Sequence, residues 1–464
     1  MNKSHKIVLF LLSLTMFLVV LDSAIINVAL PAIKKGLNFT AADLQWVLTS
    51  YILTFGGFLM LGGRTADLYG RRRVLVWGIG GFVLFSFLIG LSASSTMLVV
   101  LRALQGLAAA FMAPTALSIL LTTFSEGHER NKALSIWSIV ASGGAAAGVF
   151  LGGVLTQYFG WRSCFFVNVP IGILAIIFIL KHVPAHIQES KDKHLDLLGA
   201  VFVTGGLMSL VYALTLASRS GWAAAPTLTA LAGSVVLLAA FIFNESRVKH
   251  PLIPLGIFKI RNVVGGNLIM LPVVAGGLGT FFFMSLYVQN VLHYSPVLSG
   301  LSFLPIPIII GIVSYNTPRL LGRFGFKPLM VTGISFIMTG IFLFSTLGIG
   351  SSYWGHLLPA FIILGVGFGI SFVSITVAST SGVPADKSGL ASGLINTSQQ
   401  IGGALGLAIL AVVANTVTAG ALAHGQSLAQ ATVQGYQQAF LTSTVLIVIA
   451  LLIAIFVIKT PNKR

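Results

Sequence analysis

IVLFLLSLTMFLVVLDSAIINVALPAI, residues 7–33, is the stretch whose reading decides the fold. It is long enough to cross a bilayer as one helix, and it carries a single carboxylate, Asp22, among apolar neighbours. An uncompensated charge inside a span costs at least about 2.5–3.5 kcal/mol on insertion scales. Asp22 therefore needs a partner or a task.

The rest of the chain has the same character. Of its 464 residues 56% are hydrophobic and 8% charged, and the mean hydropathy is +0.97. Soluble domains are about half apolar and about a quarter charged, so the class is an all-α polytopic membrane protein. The lone Cys164 excludes an intramolecular disulfide and any multi-cysteine metal site. The opening MNKSHK and its apolar run imitate a secretory signal. The run exceeds the roughly 7–15 residues of such a segment, and further spans follow, so it reads as a retained first helix.

Apolar stretches separated by short polar loops predict fourteen helices, near residues 7–31, 44–63, 73–92, 97–122, 134–156, 164–181, 196–217, 227–244, 263–290, 297–317, 328–348, 355–379, 390–415 and 438–459. Placing both termini in the cytoplasm leaves only Lys34, Lys35, Arg162 and Arg219 on the opposite side, with Arg102 inside a span. All other members of the 27 Lys and Arg then face the cytoplasm, which fixes the orientation. It also accounts for the net charge of +17 through anionic lipid rather than nucleic acid.

A short internal repeat divides the chain. Gly63–Leu75, between spans two and three, aligns with Pro318–Met330, between spans ten and eleven; Arg64 matches Arg319, Gly70 matches Gly325 and Arg72 matches Lys327. A separation of eight helices fits two six-helix bundles with two extra helices between them: residues 1–182, 183–262 and 263–464. Repeats with the substrate site between them are a common transporter plan.

Of the ten acids only Asp22 lies deep in a span, and the nine histidines fall in loops or at span ends. Burial favours the protonated form of a carboxyl group and an approaching cation favours the ionised form, so one carboxylate can link proton release to cargo binding. The alternative for Asp22 is a packing carboxylate satisfied by neighbouring amides or hydroxyls. Arg102 is the other buried charge. Gln105 and Gly106 follow at i+3 and i+4 on one helix face, and a role beside Asp22 stands against a purely structural tie between helices. Gly144, Gly148 and Gly152 recur every fourth residue in span five, and Gly389, Gly393, Gly402 and Gly406 do similarly in span thirteen. Such faces allow close helix approach, either as a sliding contact between the bundles or as ordinary tight packing. Asn396, Gln399 and Gln400 share one face of span thirteen. With Gln45, Trp46, Tyr51, Gln105, Tyr287, Gln289 and Asn290 they are the candidate substrate contacts.

The chain lacks a G-x-x-x-x-G-K-[ST] phosphate loop, a His/Cys cluster with metal spacing and a selectivity-filter signature. No enzyme activity, metal or cofactor is expected.

The stretch Gly63-x-x-x-Asp67-x-x-Gly70-Arg71-Arg72 resembles the signature between helices two and three of the major facilitator superfamily, and Arg102-x-x-Gln105-Gly106 resembles the fourth-helix motif of its proton-coupled members. LDSAIINVALPAI (21–33), LQWVLTSYIL (44–53), FGWRSCFFVNVPIG (159–172) and SGLASGLINTSQQIGGALG (388–406) extend the likeness to the 14-helix drug:proton antiporter branch, over nearly the whole chain. The resemblance implies a monomer in the plasma (inner) membrane. It would be driven by the proton gradient and would exchange protons for small hydrophobic or cationic molecules by alternating access. It makes Gly63, Asp67, Gly70, Arg71 and Arg72 part of a cytoplasmic gate, and the glycines of span five part of the antiporter motif. Three departures stand out. Gly148-Val149 replaces the motif's Gly-Pro, Leu68 replaces a basic residue, and the second half lacks the acid that some exporters of divalent cations carry. Monovalent, zwitterionic or neutral cargo is the expectation. Export of one endogenous metabolite or lipid, and a non-transporting receptor, are the alternatives.

Overall fold

The computed structural model describes residues 3–124, 128–184, 195–248, 251–253, 255–383 and 388–459. Among the residues weighed above, Glu126, Glu189, Asp192, Asp386, His186, His194, His250, Lys191, Lys193, Lys249, Lys387, Lys463 and Arg464 lie outside that set, as do the side chains of Lys3, His128 and Arg219.

Fourteen helices among the described residues are long and apolar enough to cross a membrane: α1 His5–Gly36, α2 Trp46–Tyr69, α3 Arg71–Gly90, α4 Ser95–Thr123, α5 Lys132–Phe159, α6 Ser163–His182, α7 Leu197–Ala217, α8 Ala225–Arg247, α9 Arg261–Asn290, α10 Pro296–Phe324, α11 Phe326–Phe344, α12 Tyr353–Thr380, α13 Leu390–Ala423 and α14 Leu428–Phe456. An even number of crossings puts both termini at one end of the bundle, called here the terminal end; the other is the far end. No strand occurs among the described residues.

The two halves pack alike. Within α1–α6 the neighbours are α1 with α5, α2 with α4, α3 with α4 and α3 with α6; within α9–α14 they are α9 with α13, α10 with α12, α11 with α12 and α11 with α14. The halves meet along α5–α10, α1–α9 and α2–α13. Helices α7 and α8 form a hairpin whose first arm lies against both α2 and α13, sealed by Leu53, Leu207, Val211, Ala404 and Ala408.

Predicted boundaries shift at several helix ends, α13 running to Ala423 rather than 415 and α1 to Gly36 rather than 31, and two further shifts bear on the site. Residues 63–69 are not a loop, because α2 continues to Tyr69 and α3 starts at Arg71. The connection is Gly70 alone, at φ 94°, a conformation that glycine adopts without a Cβ clash. At about 1.5 Å per residue the extra turns carry the helix past its apolar core, where Arg64 and Asp67 can end it. Gly325, at φ 78°, joins α10 to α11 in the same way. The repeat extends to the matched bases. Arg72 donates to the carbonyls of Val183 (3.1 Å) and Leu180 (3.4 Å) at the end of α6, and Lys327 Nζ donates to those of Ile455 (2.8 Å) and Ile458 (2.9 Å) at the end of α14. Each half thus closes its last helix with a cation on its third. The second correction concerns α14, which starts ten residues before 438 because Ser427 and Gln430 form a capping box.

Candidate functional site

Asp22 sits in the middle of α1 with no exposed surface, as do Ser86, Arg102, Gln105 and Asn168. Five helices bring these groups together. Arg102 on α4 donates through Nη1 to Asp22 Oδ2 at 2.7 Å and to Gln105 Oε1 at 2.6 Å. Its Nε donates to the Val47 carbonyl of α2 at 3.0 Å. The other Asp22 oxygen accepts from Gln105 Nε2 at 3.0 Å and from Asn168 Nδ2 of α6 at 2.9 Å. Gln105 Nε2 also donates to Ser86 Oγ of α3 at 2.8 Å. The Tyr51 ring lies under the guanidinium, 4.2 Å from Cζ. Polar side chains in apolar helices turn inward to find each other, because lipid offers them nothing.

Local packing makes this convergence possible. Gly106 meets the Tyr51 carbonyl and the Thr54 hydroxyl, so a side chain there would force α4 off α2. Thr54 Oγ1 adds a cross-helix bond to the Ala103 carbonyl at 2.7 Å. α4 is thereby pressed against α2 one turn from Arg102.

The arrangement holds a carboxylate and a guanidinium together away from lipid and water. Arg102 has supports that survive neutralisation of the carboxylate, namely Gln105 Oε1, the Val47 carbonyl and the Tyr51 face. Cation–π contact is worth about 2 kcal/mol or more when desolvated. Losing the charge on Asp22 would loosen α1 from α4 and α6 and leave the guanidinium held by neutral groups alone, with Nη2 already lacking a partner among the described residues.

The other candidates are distributed as follows. Tyr51 and Gln105 belong to the Asp22 group. Gln45 donates to Thr215 of α7 at 3.1 Å, and Trp46 lies against Tyr212 of α7. The Tyr287 hydroxyl donates to the Gly348 carbonyl inside the second half at 2.6 Å. Gln289 donates across the halves to the Val28 carbonyl of α1 at 2.9 Å. Asn290 and Asn396 are exposed, Gln399 and Gln400 half-buried, and Gln400 packs at Gly56 of α2. Asp67 and Arg71 pair with each other at 2.8 Å, at the end of α2 and the start of α3, and with Arg72 they line a 520 Å³ cavity within the first half. Gly63 faces Pro114 of α4.

Gly144, Gly148 and Gly152 face α1 inside their own half, against Phe17, Leu21, Ala24 and Ile25, and Gly402 and Gly406 face α9 at Leu271 and Ala275. Gly393 does meet the other half, at Met60 of α2, and further glycines outside the predicted sets share the inter-half approach. Gly153 abuts Pro296 and Val297 of α10, and Gly300 abuts the Val149 carbonyl of α5.

These contacts close the far end together with Ser285 Oγ, which donates to the Asn27 carbonyl, and Val297 N, which donates to Gln157 Oε1 at 3.2 Å. Just inside lies a 220 Å³ cavity between the halves, walled by Ala24, Val149, Phe281, Phe303 and Ile306 among others, with Asn27 and Ser285 as its polar groups. Asn27 Oδ1 is buried there without a donor among the described residues. The sequence reading missed Asn168, Ser86, Asn27 and Ser285. Asn27 and Asn168 gave a usable signal, an amide within an apolar span; the two serines gave none, because span serines commonly bond their own helix.

Comparison with known proteins agrees with this architecture. Residues 12–407 match the family model described as Major Facilitator Superfamily. The puromycin resistance protein of Streptomyces alboniger is 40% identical over 427 residues, covering 90% of this chain and 84% of that protein. The cephamycin export protein of Amycolatopsis lactamdurans is 40% identical over 412 residues, covering 88% and 85%. Among solved structures, a bacterial homologue of the human lysosomal transporter Spinster superposes with a TM-score of 0.72 at 16% identity, over 100% of both chains.

Proposed function

Because the chain belongs to the Major Facilitator Superfamily, we propose that it is an exporter that trades protons for hydrophobic or amphipathic small molecules, with Asp22 as the protonation site and Arg102 as its counter-charge. The export half of this reading is supported by relatives named for antibiotic resistance and export. The proton half rests on one observation, the fully buried Asp22–Arg102 pair at 2.7 Å. A buried pair is a poor device for stability alone, since desolvation offsets most of its attraction. The bias of Lys and Arg supports a cytoplasmic terminal end.

Helix α1 is the coupling element in this reading. One face holds Asp22 against α4 and α6. Another offers the Asn27 and Val28 carbonyls to Ser285 and Gln289 of α9, so a shift of α1 on protonation would act directly on the far-end closure. Cargo would occupy the cavity between the halves. Among the described residues its lining carries no charged group, which favours neutral, zwitterionic or monovalent molecules over divalent ones.

The test is a proteoliposome assay with an imposed pH gradient and a panel of cargoes. Asp22→Asn is expected to abolish gradient-driven transport while the protein still folds; undiminished transport in that variant would remove Asp22 from the mechanism. A narrower reading, export of a single compound, is favoured by the relative named for cephamycin alone, and activity toward one panel member only would select it. Cargo-induced proton release from the purified protein distinguishes both from a receptor.

A further inference from the structure

A cavity of 350 Å³ lies on the seam between the halves, separate from the Asp22 group and from the cavity near the far end. Its walls come from both halves and from the hairpin. They include Met60 of α2, Val203 of α7, Phe241 of α8, Leu271 of α9, Ile401 of α13, and Phe258 of the segment leading to α9. Val203, Phe241 and Leu271 stand in from the terminal-end tips of their helices by about 9–15 Å at the rise of an α-helix. The cavity therefore sits at the depth of the bilayer leaflet on that side. Phe258 and Leu268 belong both to its lining and to the exposed surface.

Size and lining both point to a ligand. Protein interiors are close-packed and keep few voids larger than a water molecule, whereas ligand pockets start at about 300 Å³. An apolar cavity of about 150 Å³ accepts benzene, so this one has room for two linked rings. Among the described residues no charged side chain lines it, and a charge carried in would exchange its hydration for apolar contact. One polar strip interrupts the walls. Ser398 Oγ of α13 donates to Asn267 Oδ1 of α9 at 2.8 Å, and Asn267 Nδ2 donates to the Val263 carbonyl at 2.7 Å. Both side chains belong to the lining. With its proton given to Asn267, the Ser398 oxygen can only accept. A hydroxyl or N–H on the ligand is the group that matches it.

We infer that this cavity is a second ligand site, for neutral two-ring molecules that carry one hydrogen-bond donor. Such molecules partition into the leaflet and enter between Phe258 and Leu268. The ring body fills the space between Met60, Val203, Leu271 and Ile401, and the donor reaches Ser398. Because the occupant touches α2 of one half and α9 and α13 of the other, it binds most tightly to the arrangement in which the seam keeps this spacing. It therefore favours that arrangement of the halves over any other. The site does not depend on proton exchange at Asp22.

The experiment uses the full chain in vesicles and para-(hydroxymethyl)benzophenone, a neutral, photoreactive two-ring alcohol. After irradiation, peptide mapping should place saturable adducts on Met60, Leu271 and Ile401. The methyl ether of the same probe, which has no donor, should label them about 3- to 10-fold less, and Ser398→Ala should bring the two probes level. Val203→Phe, which fills the cavity from the hairpin side, should remove the adducts. Labelling that never saturates, or that falls on the exposed Val235 and Val236 of α8 and not on the seam, overturns the inference. So does equal labelling of the wild type by alcohol and ether. Seam adducts that form in detergent but not in vesicles also overturn it, since a lipid acyl chain is then the occupant. These wild-type measurements need no variant to fold.

Discussion

Arg102 has five N–H donors in a rigid fork; the folded chain directs Nε and Nη1 at the Val47 carbonyl, Asp22 and Gln105, while Nη2 is buried with no partner among the described residues. Removing the fork leaves Asp22 buried and unpaired, so Arg102→Ala should lose about 3–5 kcal/mol of stability, read as a lower Tm in detergent. Adding Asp22→Asn to that variant removes the orphaned charge and should recover part of the loss. If Arg102→Ala unfolds like the wild type, the pair has no structural weight. Asp22, Arg102 and Gln105 were legible in the sequence because a polar group in an apolar span must find a partner. Ser86 was not, since a span hydroxyl is commonly satisfied within its own helix and only the rotation of α3 against α4 decides otherwise. Asp196 and Glu245 looked like ordinary residues at span ends. They are buried where α7, α8 and the segment before α9 meet, a meeting that no local pattern specifies.

At the scale of helices, the every-fourth glycines of α5 set how closely it lies on α1. A Cβ at Gly148 would stand 2.7 Å from the Ala24 Cβ and 2.9 Å from the Leu21 carbonyl, whereas one at Gly143 meets nothing within 4 Å. Gly148→Leu should therefore destabilise the first half by about 1–3 kcal/mol and, in the proposed mechanism, slow transport by displacing the helix that bears Asp22. Gly143→Ala should be silent in both thermal unfolding and transport; equal effects from the two would contradict the packing argument. Gly70, the single residue between α2 and α3, should resist substitution too, with Gly70→Ala costing about 1–3 kcal/mol in backbone strain. The spacing of the glycines was visible in the sequence. Which neighbour they meet was not, because small-residue periodicity marks a face without naming its partner. The true length of α2 was also hidden, since its last two turns are polar and read as a loop.

For the molecule as a whole, closure of the far end joins α5 to α10 at Gln157 and Val297 and α1 to α9 at Asn27 and Val28. If transport requires these contacts to part, Gln157→Cys with Val297→Cys should stop it under oxidising conditions and restore it on reduction. The one native thiol, Cys164, is buried beside Thr156 and should not interfere; full activity of the oxidised pair would show that the far end need not open. Sequence by itself determined the fourteen crossings, the two-half plan and the identity of the deep charges, because the bilayer penalises every misplaced polar group by several kcal/mol. That penalty acts on each helix alone and can be read one span at a time. Only the tertiary structure decided which side chains share a site, which glycines carry the contact between the halves, and that Asp196 and Glu245 are buried together beside the α7–α8 hairpin. Those depend on helix rotation and neighbour choice, set by packing between segments as far apart as Asp22 and Asn168, on which the apolar pattern of either helix is silent.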